Sequence, residues 1–448
     1  MELLKRKRNL SRLNPAQILV IGFGSLILLG TCLFMLPIAT YEKGNGLSFI
    51  DALFESTSAV CVTGLAVVDT GTTFTLFGQI VLLCLIQIGG WGFMTTGIFM
   101  FIILGKRIGL KERLLLQDSL NVFTLSGVVH LVRRIILITL IVELIGAISL
   151  AIRWAFEMPL KKAIYYGIFH SISAFNNAGF GLESDNLSKW VGDPTVNIVI
   201  TFLFIIGGIG FTVILDLFKK KSLRKLSLNS KVVLMMTLIL NIVGTLIILA
   251  SEYDNSRTIG NFGLGDKLWA SYFQGVVTRT AGFNTIDISQ MTISSQVFMM
   301  ALMFIGASSG STGGGIKVTT YAIILFAFWT VLTNRKDVNI FKRRISWLFV
   351  NRALSIVVAA IIFIFIIFFL LTYTEKAEMS KILFETISAF GTVGLSAGFT
   401  THLTPFGRIL ITIMMFIGRL GPLTMAFALL KTQKDSKVRF AEEKILIG

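Results

Sequence analysis

The sequence predicts an all-α integral membrane protein made of four tandem span–half-helix–span units. That is eight transmembrane helices plus four re-entrant half-helices around one pseudo-four-fold axis. Three observations predict it. The chain of 448 residues is 54% hydrophobic and only 15% charged, whereas soluble domains carry about 25% charged residues. Apolar runs of the roughly 20 residues needed to span a bilayer recur at about 16–38, 75–104, 131–152, 195–218, 232–250, 296–331, 353–373 and 406–430. A short glycine-bearing pattern recurs four times, at 58–65, 173–180, 277–283 and 388–395, each copy between two of those runs.

The units run 16–113, 114–225, 226–344 and 345–431, between a basic N-terminus (1–15) and a tail (432–448). Each holds an outgoing span, a short helix, the glycine turn and a returning span. The short helices are 49–59, 160–175, 266–276 and 380–389, and at about 1.5 Å per residue most reach about halfway through the bilayer. Asp266 and Ser380 are placed to cap the last two. Irregular backbone after a half-helix is tolerable in a membrane only where it lines a water-filled cavity. The negative end of the half-helix dipole then favours a cation there.

The returning spans repeat as well. Ile88-Gly89-Gly90-Trp91-Gly92-Phe93 matches Ile206-Gly207-Gly208-Ile209-Gly210-Phe211, and Gly306 and Gly418 continue the series. From turn glycine to span glycine the offsets are 25, 28, 24 and 24 (64 to 89, 179 to 207, 282 to 306, 394 to 418). Glycines in a span serve close helix packing, and four held at this spacing mark a repeat.

The net charge of +17 is distributed by loop. Basic clusters at 5–8, 106–113, 219–225, 342–344 and 431–439 fall on every second connection. This is the positive-inside pattern, with both termini cytoplasmic, and it suits anionic lipid headgroups rather than nucleic acid. Cys32, Cys61 and Cys84 form no disulfide framework. His130, His170 and His402 are scattered and no HExxH is present, which argues against a metalloenzyme. The first apolar run ends in Leu36-Pro37-Ile38, no small-residue cleavage site, so it reads as a retained span.

Four re-entrant glycine turns around one axis suit a ring of backbone carbonyls, the device that holds a dehydrated potassium ion. The candidate filter strands are Val62-Thr63-Gly64, Asn177-Ala178-Gly179, Thr280-Ala281-Gly282 and Thr392-Val393-Gly394. The glycines supply φ > 0. Only the fourth strand carries the first three letters of the potassium-channel TVGYG, and Tyr-Gly follows none, so one well-formed site at the glycine ring is expected, with looser ones beside it. Nine residues before the filter glycines stand Glu55, His170, Phe273 and Glu385. An intramembrane carboxylate needs a partner, and the expectation is an ion pair of Glu55 or Glu385 with Arg279. Asp69, Asp185 and Asp287 follow three of the filters and suit either an outer cation-concentrating ring or solvated loops.

The third returning span is interrupted by Gly306-Ala307-Ser308-Ser309-Gly310-Ser311-Thr312-Gly313-Gly314-Gly315-Ile316-Lys317. It is no phosphate-binding loop, because Ile316 separates Gly315 from Lys317 and no strand precedes it. Each glycine costs about 1 kcal/mol in a helix, so the segment is expected as a loop lining the pore. Arg419, one residue after Gly418, lies in mid-span and marks a functional position.

With these motifs in register, the chain resembles the Trk/Ktr/HKT superfamily of potassium transporters over about residues 16–448. Within it, the resemblance is to the membrane subunit of a bacterial Ktr system. The resemblance implies potassium uptake, a gate at 306–317, and an arginine at 419 contacting the gate loop, with Lys317 at its end near the cytoplasmic mouth. A serine at the first filter glycine goes with sodium preference in that superfamily, and Gly64 occupies the position here. The resemblance further implies a homodimer in the bacterial plasma membrane and a separate cytosolic ring that binds nucleotides, since no nucleotide-binding domain is present here. It implies no cofactor beyond the pore potassium, with sodium as a possible stimulant. A sodium-coupled or poorly selective cation transporter is the alternative. Inverted-repeat secondary transporters fit less well, because these repeats are parallel. The apolar end of the tail, 440–448, suits either the dimer interface or a frayed terminus.

Overall fold

In the computed structural model the described residues are 15–41, 46–92, 95–97, 128–220, 222–429 and 443. The basic segment 1–14, the cluster 106–113, the boundary expected between the first two units, Lys431 and the tail apart from Glu443 lie outside them.

The outgoing helices are α1 (Pro15–Phe34), α4 (Val128–Trp154), α8 (Leu228–Glu252) and α12 (Trp347–Thr374). The half-helices are α2 (Phe49–Val60), α5 (Leu160–Phe175), α9 (Leu264–Val277) and α13 (Met379–Gly391), within two residues of the expected bounds. Their caps differ from expectation. Ser48 Oγ accepts from Asp51 N at the start of α2, whereas Gly263 and Glu378 stand at the N-caps of α9 and α13. Asp266 and Ser380 lie inside the first turn because each helix begins two or one residues earlier than its polar residue suggests.

The returning helices begin on a repeated device. Thr75, Asp193, Thr292 and Thr404 are the N-caps of α3 (Leu76–Trp91), α6 (Pro194–Ile209), α10 (Ile293–Phe304) and α14 (Pro405–Leu420). Each side chain accepts a hydrogen bond from the amide three residues on, and Pro194 and Pro405 take the first helical position.

Eight spans were expected, with only the third returning one interrupted, and the structure shows further breaks. Four helices among the described residues are long and apolar enough to cross a membrane, and these are the four outgoing ones. The returning spans break. Helix α6 meets α7 (Phe211–Lys219) at 95°, and α14 meets α15 (Pro422–Leu429) at 97°. The hinges are Gly210 (φ 92°, ψ 142°) and Gly421 (φ 85°, ψ 141°), and Gly92 ends α3 in the same conformation (φ 83°, ψ 142°). Only glycine adopts these angles readily. The third returning span breaks instead over 305–317, between α10 and α11 (Val318–Leu332).

Each outgoing helix packs on its own half-helix: α1 on α2, α4 on α5, α8 on α9 and α12 on α13. Each returning helix packs on the next half-helix: α3 on α5, α6 on α9, α10 on α13, and α14 back on α2. The contacts therefore close on themselves. One hairpin departs from all-α expectation. β1 (Val338–Ile340) pairs antiparallel with β2 (Arg343–Ile345), Val338 opposite Ile345, through a turn with φ > 0 at Phe341 and Lys342.

Candidate functional site

The half-helices end in one kind of turn. In α2, Val62 N donates to Ala59 O (3.1 Å) and Thr63 N to Ser58 O (2.8 Å). The matching bonds are Asn177 to Ala174 (2.9 Å) with Ala178 to Ser173 (2.8 Å), and Thr392 to Ala389 (3.1 Å) with Val393 to Ser388 (2.9 Å). These are the paired bonds of a Schellman C-cap, whose left-handed residue is usually glycine. Here it is Val62 (φ 56°), Asn177 (φ 60°), Thr280 (φ 66°) and Thr392 (φ 49°). In the third copy Ala281 N donates to Val277 O instead (3.2 Å). A β-branched residue at positive φ is an outlier, and such strain costs on the order of 1–3 kcal/mol and gathers at functional sites. Two residues on, Gly64 (φ 93°), Gly179 (φ 73°), Gly282 (φ 74°) and Gly394 (φ 88°) are again at positive φ. Sequence reasoning expected only the glycines. Valine and threonine give no local signal for φ > 0, so only the alignment of the four copies could have pointed to the strained position.

The four turns meet. A methyl on Gly64 would lie 3.3 Å from the Gly179 Cα, and one on Gly179 would lie 2.8 Å from the Gly282 carbonyl carbon. One on Gly282 would lie 2.7 Å from Val393 O, and one on Gly394 would lie 3.0 Å from the Gly64 Cα. The neighbours thus run from copy one to four and back to one. No Cβ fits at any of these positions.

The small-residue loop lies against the strained residues. Thr312 Oγ1 donates to Asn177 Oδ1 (2.8 Å), and Asn177 Nδ2 donates to Thr280 Oγ1 (3.2 Å). Gly314 N donates to Thr392 Oγ1 (3.0 Å). Backbone bonds tie the loop to the broken spans: Ser308 N to Gly208 O (3.0 Å), Phe211 N to Gly310 O (2.9 Å) and Gly315 N to Gly418 O (3.3 Å). Arg419 donates to the carbonyls of Thr312 and Gly89, joining the loop to the first returning helix. Lys317 is half-buried and donates to Gly313 O (2.8 Å), so it is part of the loop's own framework.

The span glycines admit backbone. A Cβ on Gly89, Gly207 or Gly418 would overlap the carbonyl oxygen of Val60, Phe175 or Phe390, the equivalent residue at the end of each half-helix. Gly306 differs, its neighbour being Gly314 of the loop.

The expected ion pair is absent. Glu55 Oε1 accepts from Val67 N (2.7 Å) and Val68 N (3.2 Å). Glu385 accepts from Ser396 Oγ (2.5 Å) and Thr400 Oγ1 (2.8 Å). Both buried carboxylates hold the chain that leaves the glycine turn of their own unit. Arg279 turns to α8, reaching Thr237 O (3.4 Å), Thr237 Oγ1 (3.3 Å) and Asn241 Oδ1 (3.3 Å). The reason is position. Glu55 and Glu385 lie within reach of the chain after their own turns, whereas Arg279 lies within reach of α8. His170, at the Glu55 position of the second copy, is buried against Trp154, Phe169 and Phe283. Asp69 and Asp287 cap local turns, accepting from Thr72 N (2.8 Å) and Ser289 N (2.9 Å), while Asp185 is exposed.

Four membrane-length apolar helices among the described residues and a closed ring of turns give a multi-pass membrane protein, and its relatives make it a transport protein rather than an enzyme. The chain matches the TrkH family, described as cation transport protein, over residues 6–438, and it belongs to that family. It is 49% identical to Ktr system potassium uptake protein B of Bacillus subtilis, covering 98% of this chain and 97% of the relative. It is 37% identical to potassium/sodium uptake protein NtpJ of Enterococcus hirae, covering 99% and 100%. Its fold is similar to that of the potassium transporter TrkH from Vibrio parahaemolyticus, with a TM-score of 0.74 over 93% of this chain and 84% of that one, at 18% identity.

Proposed function

We propose that the chain takes up potassium through a pseudo-four-fold pore whose filter is the carbonyl ring at 62–64, 177–179, 280–282 and 392–394. One observation carries this: positive φ recurs at the same two positions of all four turns, and those turns neighbour one another in a closed order. Alternating backbone handedness turns successive carbonyls to one side, and carbonyl rings replace the hydration shell of potassium. The names of relatives at up to 49% identity agree with potassium as the cargo.

The loop 306–317 is the gate, held under the filter by Thr312, Gly314 and Arg419. The guanidinium of Arg419 adds a positive charge to the cation path. Control comes from a separate cytosolic nucleotide-binding subunit docked on the basic face, and the membrane subunit works as a homodimer with both termini cytoplasmic. The word system in the name of the Bacillus relative supports the separate subunit. The second reading, joint potassium and sodium transport, is favoured by the name of the Enterococcus relative, potassium/sodium uptake protein NtpJ.

Radioactive rubidium uptake into proteoliposomes tests the two. Inhibition by potassium and not by sodium, weakened in Gly394→Ser or Gly64→Ser, is the expected result. Equal inhibition by both ions in the wild type would overturn the selective filter in favour of the second reading.

A further inference from the structure

The residue three before the filter glycine is Cys61, Asn176, Arg279 or Gly391 in the four copies. It is the last residue before the strained turn. In copies two and three it is polar, and it reaches the outgoing helix of its own unit. Arg279 does so through Thr237 and Asn241. Asn176 Nδ2 donates to Glu143 Oε1 of α4 (3.0 Å), and also to Gln87 Oε1 of α3 (3.0 Å) and Ile172 O (2.9 Å). Gly90 leaves the room for this, since a methyl there would lie 3.0 Å from the Asn176 Cβ.

Glu143 sits in the interior of α4 and is 6% exposed, and no ion pair reaches it among the described residues. A carboxylate inside a membrane span is costly and marks function by default. Neither the filter carbonyls nor the gate loop touches it. What it does touch is Asn176, covalently joined to Asn177. Asn177 in turn holds both Thr280 of the third filter strand and Thr312 of the loop.

We propose that Glu143 is a positioning residue for the filter. Together with Gln87 it fixes the Asn176 amide, and so sets where Asn177 presents its own amide between filter and gate. The bond requires an acceptor at 143 facing a donor at 176, and networks of this kind act as a unit in a low-dielectric interior. This inference rests on the potassium-filter reading above.

The experiment is rubidium uptake, read as the ratio of inhibition by potassium to inhibition by sodium, with detergent melting of the same variants. Glu143→Gln keeps an acceptor and is expected to discriminate like the wild type. Asn176→Asp sets two carboxylates face to face. It is expected to lower the ratio about tenfold, the scale of one charge-assisted hydrogen bond. The double variant Asn176→Asp with Glu143→Gln reverses donor and acceptor and is expected to recover both ratio and melting temperature. Gln87→Leu removes one acceptor without burying a new charge and is expected to lower the ratio a few-fold, which serves if Asn176→Asp does not fold. Wild-type discrimination in Asn176→Asp or Gln87→Leu overturns the proposal, as does a double variant no better than Asn176→Asp. A wild type that does not discriminate at all overturns the filter reading itself, and is told apart because the failure precedes any substitution.

Discussion

At the scale of single residues, the site is a set of short polar side chains that each close one backbone gap. Glu55 illustrates the rule. Removing it in Glu55→Ala strands the buried amide of Val67 and the half-buried one of Val68, at about 1–3 kcal/mol for the unsatisfied donors. The expected outcome is a lowered melting temperature and weakened potassium-over-sodium discrimination, while Glu55→Gln, still an acceptor, stays close to wild type. Equal loss in both variants would mean that the charge itself is needed. Arg419 spans two carbonyls with one planar fork, a geometry lysine cannot copy. Arg419→Ala is therefore expected to raise basal uptake in the absence of any cytosolic partner, with Arg419→Lys between it and wild type. Unchanged flux at normal protein level would remove the arginine from the gate.

At the scale of elements, three returning helices meet half-helices through glycine, beside a core of packed side chains. Helices α3, α6 and α14 each press a glycine against a carbonyl in the last turn of a half-helix, Gly89 on Val60, Gly207 on Phe175 and Gly418 on Phe390. The obstructing atom is backbone, so it cannot swing aside. Gly207→Ala or Gly418→Ala is expected to destabilise by about 1–3 kcal/mol, the range for overpacking, visible as a lower melting temperature in detergent. Within the small-residue loop, a methyl on Gly314 would come within 2.8 Å of the Thr392 Cγ2. Gly314→Ala is expected to reduce uptake more than stability, because the loop and the strained turn must then part. Normal uptake with normal discrimination would show that the two do not act together.

On the scale of the whole molecule, the chain must bring its fourth unit back to its first. Helix α14 on α2 makes that contact, and the Arg408–Asp51 pair clasps it at the start of both helices. Both side chains are about one-fifth exposed (22% and 21%), so the pair is screened less than a surface bridge. Asp51→Ala is expected to lower the melting temperature and leave ion preference unchanged, and the exchange Asp51→Arg with Arg408→Asp is expected to recover part of it. A change in selectivity without a change in melting would place the pair in the ion path instead.

Composition and repetition alone determined that this chain crosses a membrane several times, that four half-helices end in glycine turns, and that the small-residue run of the third unit is not helix. Those properties are local or periodic: apolar length, glycine φ and equal spacing are written along the chain. Tertiary structure decided what depended on neighbours. It broke the returning spans at Gly210 and Gly421, because a bend is defined by two packed halves rather than by one apolar run. It placed the strain on Val62, Thr280 and Thr392, residue types that by themselves argue against it. It separated Arg279 from Glu55 and Glu385, because which side chains meet is set by depth and direction in the assembled bundle, and a shared distance from a motif does not reveal either.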